Sequence, residues 1–193
     1  MALVPLPAVP GSYVLEPDRF RDPRGEVLEW FRADRLGELL GRAVPVLQAN
    51  LSVSGRGVLR GVHVSDVPPG QGKVVTCVAG AVLDVLVDLR VGSPSFGRHE
   101  PVVLDDVERR AVWVPEGVGH AFLVTSDQAA VAYLCTTTYA PTRERVVHAG
   151  SVGVEWGVPA AALVLSERDA AAPTLDEAVA GGWLPRYADC LPT

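Results

Sequence analysis

Between residues 45 and 138 the chain is a succession of short apolar segments, each closed by glycine, proline or a small polar cluster. The segments span 45–53, 57–64, 73–79, 81–89, 101–104, 111–114, 120–125 and 130–138. Their separators read SGRG, DVPPGQG, AG, VGSPSFG, PEGVG and TSDQ. None is long enough for a core helix, and the turn letters recur too often for one. Many short strands joined by Gly/Pro turns fold as a sandwich or a barrel. Residues 26–31 add a strand after the turn Asp22-Pro23-Arg24-Gly25. Residues 34–42 predict a short helix with Leu36, Leu39 and Leu40 on one face and Asp34 as its cap. A further short helix is expected in the tail from about residue 166. The fold class is therefore mainly β, with short flanking helices. The 193 residues suggest one domain over 1–193, with a core at about 20–173 and a tail at 174–193.

Strand periodicity assigns faces. In 81–89, Leu83, Val85, Val87 and Leu89 share one side, and Asp84, Leu86 and Asp88 the other. In 130–138, Tyr133 and Cys135 share a face. Segment 57–64 is awkward, because Arg60 and His63 fall on opposite faces of a regular strand. Gly61 between them is where a bulge would re-aim one of the two.

Charge and cysteine content narrow the function classes. A net charge of −6 without a basic run argues against a nucleic-acid partner. A small anionic ligand held by a few arginines stays open. The N-terminal MALVPLPAVPGSY lacks a basic region and carries three prolines, unlike a signal peptide. No apolar run is long enough to span a bilayer. Cys77, Cys135 and Cys190 lack metal or redox spacing and read as free thiols of a reducing, cytoplasmic compartment.

The chemistry-bearing residues stand out by type. Lys73 is the single lysine among 17 cationic side chains, ten residues after His63. Lysine delivers a compact point charge where arginine offers a rigid fork, so a developing enolate oxygen can favour lysine. His63, His120, Tyr133 and Asp169 complete a set suited to proton transfer, with a carboxylate-oriented histidine as base and a tyrosine as donor from another strand. A single buried histidine is more often bonded to a backbone carbonyl; two of them beside a unique lysine weaken that reading. Residues 115–122, PEGVGHAF, match the Pro-x-Gly-x-x-His pattern of cupin barrels. The His-x-His pair and glutamate with which cupins often bind metal are missing from HVSDVPPGQGK, so no metal and no cofactor are expected.

GVLRGVH, PPGQGK, VLDVLVDLRVGSPSFG, WVPEGVGHAFLV, AYLCTTTYAP and LSERDAAAP, collinear from about Phe20 to Pro173, resemble the dTDP-4-dehydrorhamnose 3,5-epimerase family. The resemblance implies a cupin-type jelly roll, a cofactor-free homodimer, and inversion of C-3 and C-5 of a dTDP-4-keto-6-deoxyhexose on the way to L-rhamnose-type deoxysugars. By the same resemblance His63 is the proton acceptor, Tyr133 the donor, Lys73 the enolate stabiliser, and Asp169 the carboxylate paired with the base. Asp84 is an alternative orienter. Arg24, Glu29, Gln48, Asn50, Arg60, His120, Tyr139 and Glu144 are implied substrate contacts. Arg24 and Arg60 suit the diphosphate, and Tyr139 would stack on thymine. Glu26-Val27, Leu51, Val64, Thr138 and Arg168 depart from the family's common residues. They leave open a single-centre epimerase of C-3 or C-5 in a natural-product pathway. A 3,4-ketoisomerase of the same broad fold is a weaker rival. Further classes are a non-catalytic nucleotide-sugar-binding cupin and a metal-dependent oxygenase.

Overall fold

The computed structural model describes residues 1–190. In chain order its strands are β1 (Ala2–Pro5), β2 (Tyr13–Glu16), β3 (Arg19–Asp22), β4 (Gly25–Leu28), β5 (Gln48–Gly55), β6 (Leu59–Ser65), β7 (Lys73–Ala79), β8 (Ala81–Asp88), β9 (His99–Asp105), β10 (Ala111–Val114), β11 (Val118–Val124), β12 (Gln128–Cys135) and β13 (Glu144–Val146). The helices are α1 (Ala33–Leu40), α2 (Glu167–Ala170) and α3 (Leu175–Ala180). Two antiparallel sheets face each other, ordered β1-β2-β10-β7-β12-β5 and β13-β6-β11-β8-β9, and β3 and β4 form a separate ribbon. From β5 onward the chain mostly alternates between the sheets, which makes the molecule a cupin-type jelly roll.

Three apolar clusters hold this together. Alternate residues of both sheets meet in the middle, among them Val75, Val82, Leu86, Val112, Phe122 and Val131. The opposite parity of the five-stranded sheet, with Leu59, Val62, Val85, Val87, Leu89 and Leu123, is covered by the C-terminal segment through Val147, Trp156 and Leu184. The outer face of the six-stranded sheet packs Trp113 and Val74 against Leu36 of α1. Each fully buried large side chain contributes about 1.5–3 kcal/mol. Gly80, in the β7–β8 turn, has φ +77°, and a Cβ there would lie 2.1 Å from the Gln128 carbonyl oxygen. Only glycine fits that corner.

The expected strands all form, 73–79 and 111–114 at the expected bounds and the others with shifted ends. The strand expected at 26–31 stops at Leu28, and that at 130–138 stops at Cys135. In α1 only Leu36 is buried, Leu39 is exposed, and Asp34 lies inside the first turn behind an N-cap at Arg32 whose side chain makes no capping bond. The tail carries two short helices rather than one. Ser166 caps α2 by accepting the Asp169 N–H, and Thr174 caps α3 in a capping box with Glu177.

Candidate active site

The site is organised by a bulge in β6. His63 pairs with His120 of β11 and Arg60 pairs with Phe122, so one extra β6 residue lies between them. Gly61 sits in that gap with φ +119°, where a Cβ would be 2.5 Å from the His120 carbonyl oxygen. Leu59, Val62 and Val64 consequently face the outer cluster. Arg60, His63 and Ser65 take the inner face, and the parity conflict in the sequence is resolved.

His63 Nε2 lies 2.7 Å from Asp169 Oδ1. The carboxylate arrives from outside the barrel on α2, while His63 keeps 35% of its side chain exposed. Burial alone would raise the Asp169 pKa. Hydrogen bonding and charge from His63, the Ser166 contact and a Gly61 backbone bond outweigh that and hold it below the ordinary value. An ionised carboxylate only accepts, so Nε2 carries the proton and Nδ1 keeps the lone pair. Nδ1 is therefore the basic atom. Asp84, the alternative orienter, bonds His120 instead, at 2.7 Å from its Nε2, with Asp84 Oδ1 unpartnered.

The opposing sheet supplies a phenol. Tyr133 of β12 pairs with Val75 and Asn50, and its neighbour Cys135 pairs with Lys73. These strands belong to the six-stranded sheet, whereas His63 belongs to the five-stranded one. Imidazole and phenol thus enter the cleft from opposite walls. Burial raises the Tyr133 pKa, reinforced by the nearby Cys135 and Glu144 and opposed by Arg60, so the phenol stays protonated at neutral pH. Lys73 is buried on the same wall, close enough to Cys135 to act on its thiol electrostatically.

Polar contacts join the rest of the wall. Gln48 Nε2 donates to Asn50 Oδ1 at 2.9 Å, and its Oε1 accepts the Tyr139 N–H at 2.7 Å. Glu144 accepts from the Ser65 hydroxyl at 2.6 Å. Both guanidinium atoms Nε and Nη2 of Arg60 donate to Ser54 Oγ. Ser54, Ser65 and Ser166 were not among the residues expected from sequence. The alternation Gln48, Asn50, Ser52, Ser54 along β5 carried the signal for the first of them.

Two expected residues do not join this cluster within the chain. Arg24 sits at the β3–β4 turn, 3.0 Å from Asp22 through its Nε. Glu29 lies 3.6 Å from Arg32. Their ribbon borders a cleft lined by Val27, Leu28, Trp30, Thr76, Val78 and Arg109, on the outer side of the six-stranded sheet, because β4 and the outward positions of β7 face each other there. The physical reason is topological: a ribbon outside the sheet cannot reach the inner face of its own barrel. Among the described residues no group of three or more His, Cys, Asp or Glu side chains is arranged to hold a metal ion.

A histidine–carboxylate dyad, a protonated phenol on the opposing wall and a buried lysine together form a set chemically suited to proton transfer inside a cupin-type barrel. The chain belongs to the dTDP-4-dehydrorhamnose 3,5-epimerase family, whose profile it matches over residues 7–177. It is 51% identical over 184 residues to a dTDP-4-dehydrorhamnose 3,5-epimerase of Mycolicibacterium smegmatis, covering 95% of this chain and 90% of that protein. It is 50% identical over 192 residues to a dTDP-4-dehydrorhamnose 3-epimerase of Streptomyces niveus, covering 98% and 91%. Among solved structures, it superposes with a TM-score of 0.94 and 50% identity on a 4-keto-6-deoxy sugar epimerase from the novobiocin gene cluster of Streptomyces spheroides, covering 98% of this chain and 95% of the other.

Proposed function

We propose that the protein epimerises a dTDP-4-keto-6-deoxyhexose at C-3 and C-5. The C-4 ketone acidifies the protons on both neighbouring carbons. Nδ1 of His63 removes one, and the electron pair moves onto the C-4 oxygen as an enolate. The Lys73 ammonium holds that charge. Tyr133 returns a proton to the opposite face of the carbon, which inverts it. Exchange with water then resets His63 and Tyr133. Among the substrate contacts, Arg60 serves the diphosphate, Tyr139 the thymine and His120 the sugar, with Gln48, Asn50 and Glu144 as further contacts. The single observation that carries this reading is the pairing of the His63–Asp169 dyad with a Tyr133 hydroxyl on the facing sheet. A second reading, inversion of C-3 alone, is favoured by the Streptomyces niveus relative.

The working form in this proposal is a homodimer. Leu47, Leu51 and Val53 on the β5 edge and Phe20 and Val27 on the ribbon are all more than half exposed, at 55–71%, and an apolar edge strand requires cover. A second copy would cover them and bring Arg24 and Glu29 to a neighbouring site that their own barrel denies them. The three cysteines without disulfide partners support a cytoplasmic location, and among the described residues no helix is long and apolar enough to cross a membrane.

The test is incubation with dTDP-4-keto-6-deoxyglucose in deuterated water, followed by NMR. Deuterium at both C-3 and C-5 with inversion supports the main reading, and deuterium at C-3 alone supports the second. No exchange at either carbon overturns both. Light scattering at micromolar concentration that returns a monomer mass overturns the dimer.

A further inference from the structure

We infer that Ser54 is a positioning residue that presents the Arg60 guanidinium to the anionic part of the substrate. This rests on the nucleotide-sugar reading above, and it concerns a side chain with no role in that chemistry.

The two residues come from different sheets, Ser54 from the edge strand β5 and Arg60 from β6. Ser54 faces inward and is buried, whereas its strand neighbour Val53 points out and is 55% exposed. The Ser54 hydroxyl oxygen accepts from Arg60 Nε at 3.1 Å and from Nη2 at 3.1 Å. Both bonds use one edge of the guanidinium. Of its five N–H groups, those on the Nη1/Nη2 edge remain, the fork that matches two oxygens of a phosphate. The hydroxyl has spent its acceptor capacity on Arg60, so its own proton goes to Ser52 Oγ, 3.3 Å away. Direction therefore runs Arg60 to Ser54 to Ser52.

The neutral partner is the telling feature. Among the described residues eleven of the sixteen arginines pair with a carboxylate; Arg60, Arg98, Arg110, Arg143 and Arg168 do not, and of these five only Arg60 rests on a side-chain hydroxyl. Arg60 faces the cleft and has a hydroxyl instead. A carboxylate there would occupy the fork and cancel the charge. A hydroxyl fixes the plane of the guanidinium and leaves its full charge for a ligand. Holding a long side chain in one rotamer also spares part of the ordering cost of binding.

The experiment measures dTDP binding by calorimetry and epimerisation by NMR for wild type, Ser54→Ala, Ser54→Thr, Arg60→Ala and the double variant Ser54→Ala/Arg60→Ala. Ser54→Ala is expected to weaken dTDP binding and raise KM by about tenfold, with kcat within twofold, because His63 and Tyr133 are untouched. Ser54→Thr keeps the hydroxyl and is expected to restore binding to within about threefold. In the Arg60→Ala background, Ser54→Ala is expected to add less than twofold, since nothing remains to orient. Thermal unfolding of each variant separates a folding defect from a binding one. Equal dTDP affinity of wild type and Ser54→Ala overturns the positioning role. So does a full Ser54→Ala effect that persists without Arg60, or a fall in kcat with KM unchanged. Should Ser54→Thr misfold, the double-variant comparison decides alone. A wild type that binds no dTDP refutes the nucleotide-sugar reading itself, a distinguishable result.

Discussion

Asp169→Asn is the sharpest perturbation of the proposed chemistry, because it removes one charge and almost no volume. When His63 takes a proton, the imidazolium and the Asp169 carboxylate become an ion pair across a 2.7 Å hydrogen bond. With charge centres about 4 Å apart and an effective dielectric of about 20, their attraction is about 4 kcal/mol. Asp169 is nearly buried but His63 is 35% exposed, and solvent screening about halves that figure. A loss of about 2 kcal/mol in the transition state lowers kcat about 30-fold. The amide has two orientations. With oxygen toward Nε2 only the charge is lost. With nitrogen toward Nε2 the ring is driven to the other tautomer, Nδ1 becomes protonated, and the loss grows toward the 10²–10⁴-fold typical of general acid–base groups. The cap of α2 uses the backbone N–H of Asp169, so the helix should stay in place. The assay is loss of the C-3 proton signal in deuterated water at neutral pH, with KM taken from the same series. Retention of more than a third of wild-type kcat would refute the orienting role. An intact kcat with a raised KM would make Asp169 a substrate contact instead.

The other expected outcomes follow from the same geometry. Tyr133→Phe should keep deuterium exchange at C-3, since the base is intact, while net inversion falls at least about a hundredfold; near-normal inversion by NMR would name a different donor. Lys73→Arg should lose about a hundredfold in kcat despite the retained charge, because a rigid fork does not replace a point charge at one oxygen; normal turnover would remove Lys73 from the enolate. Acid unfolding should also show a defined limb. Burial would raise the pKa of Asp88, but Arg90, Ser93 and Ser95 outweigh it and hold it low, as His63 and its neighbours do for Asp169. A folded value below the unfolded one stabilises fully above about pH 4 and is lost as pH falls through the folded value. Asp88→Asn should therefore flatten the limb below about pH 4 and cost about 3 kcal/mol at pH 7, where it leaves buried Arg90 unmatched. A limb unchanged in denaturant titrations at pH 3–5 would count against it.

How far the sequence could be read depended on whether the information was local. The alternation in 81–89 assigned both faces of β8 correctly, because strand parity needs only neighbours. The turn at Gly80 and the glycine at 61 were also visible as letters. That Gly61 moves His63 to the face of Arg60 was not, since a bulge is defined by the partner strand. β1, β2, β3 and β13 went unassigned for a related reason. Each is three or four residues long and is a strand only through its pairing, β1 with β2, β2 with β10, β3 with β4 and β13 with β6. The choice between Asp169 and Asp84 for His63 depended on which helix docks beside β6, a contact 106 residues away in the chain. The separation of Arg24 and Glu29 from the cleft is likewise tertiary, as a ribbon's letters do not say which side of a sheet it lies on.

The tail that carries Asp169 is stitched to the barrel by backbone bonds. Leu59 N–H donates to the Val164 carbonyl at 3.0 Å, Val164 N–H to Gly57 at 2.8 Å, and His148 N–H to Pro173 at 2.8 Å. In order of synthesis every strand is complete by Val146, yet at that stage the base has no carboxylate. A nascent barrel would therefore wait, with one apolar face bare and His63 unpaired, until its last segment docks. The same seam is a point of control in the finished molecule. A single cut between Val147 and Ser166 followed by release of the tail would bare the outer cluster of the five-stranded sheet and part Asp169 from His63 together, so the segment that completes the core is also the one that completes the proposed dyad.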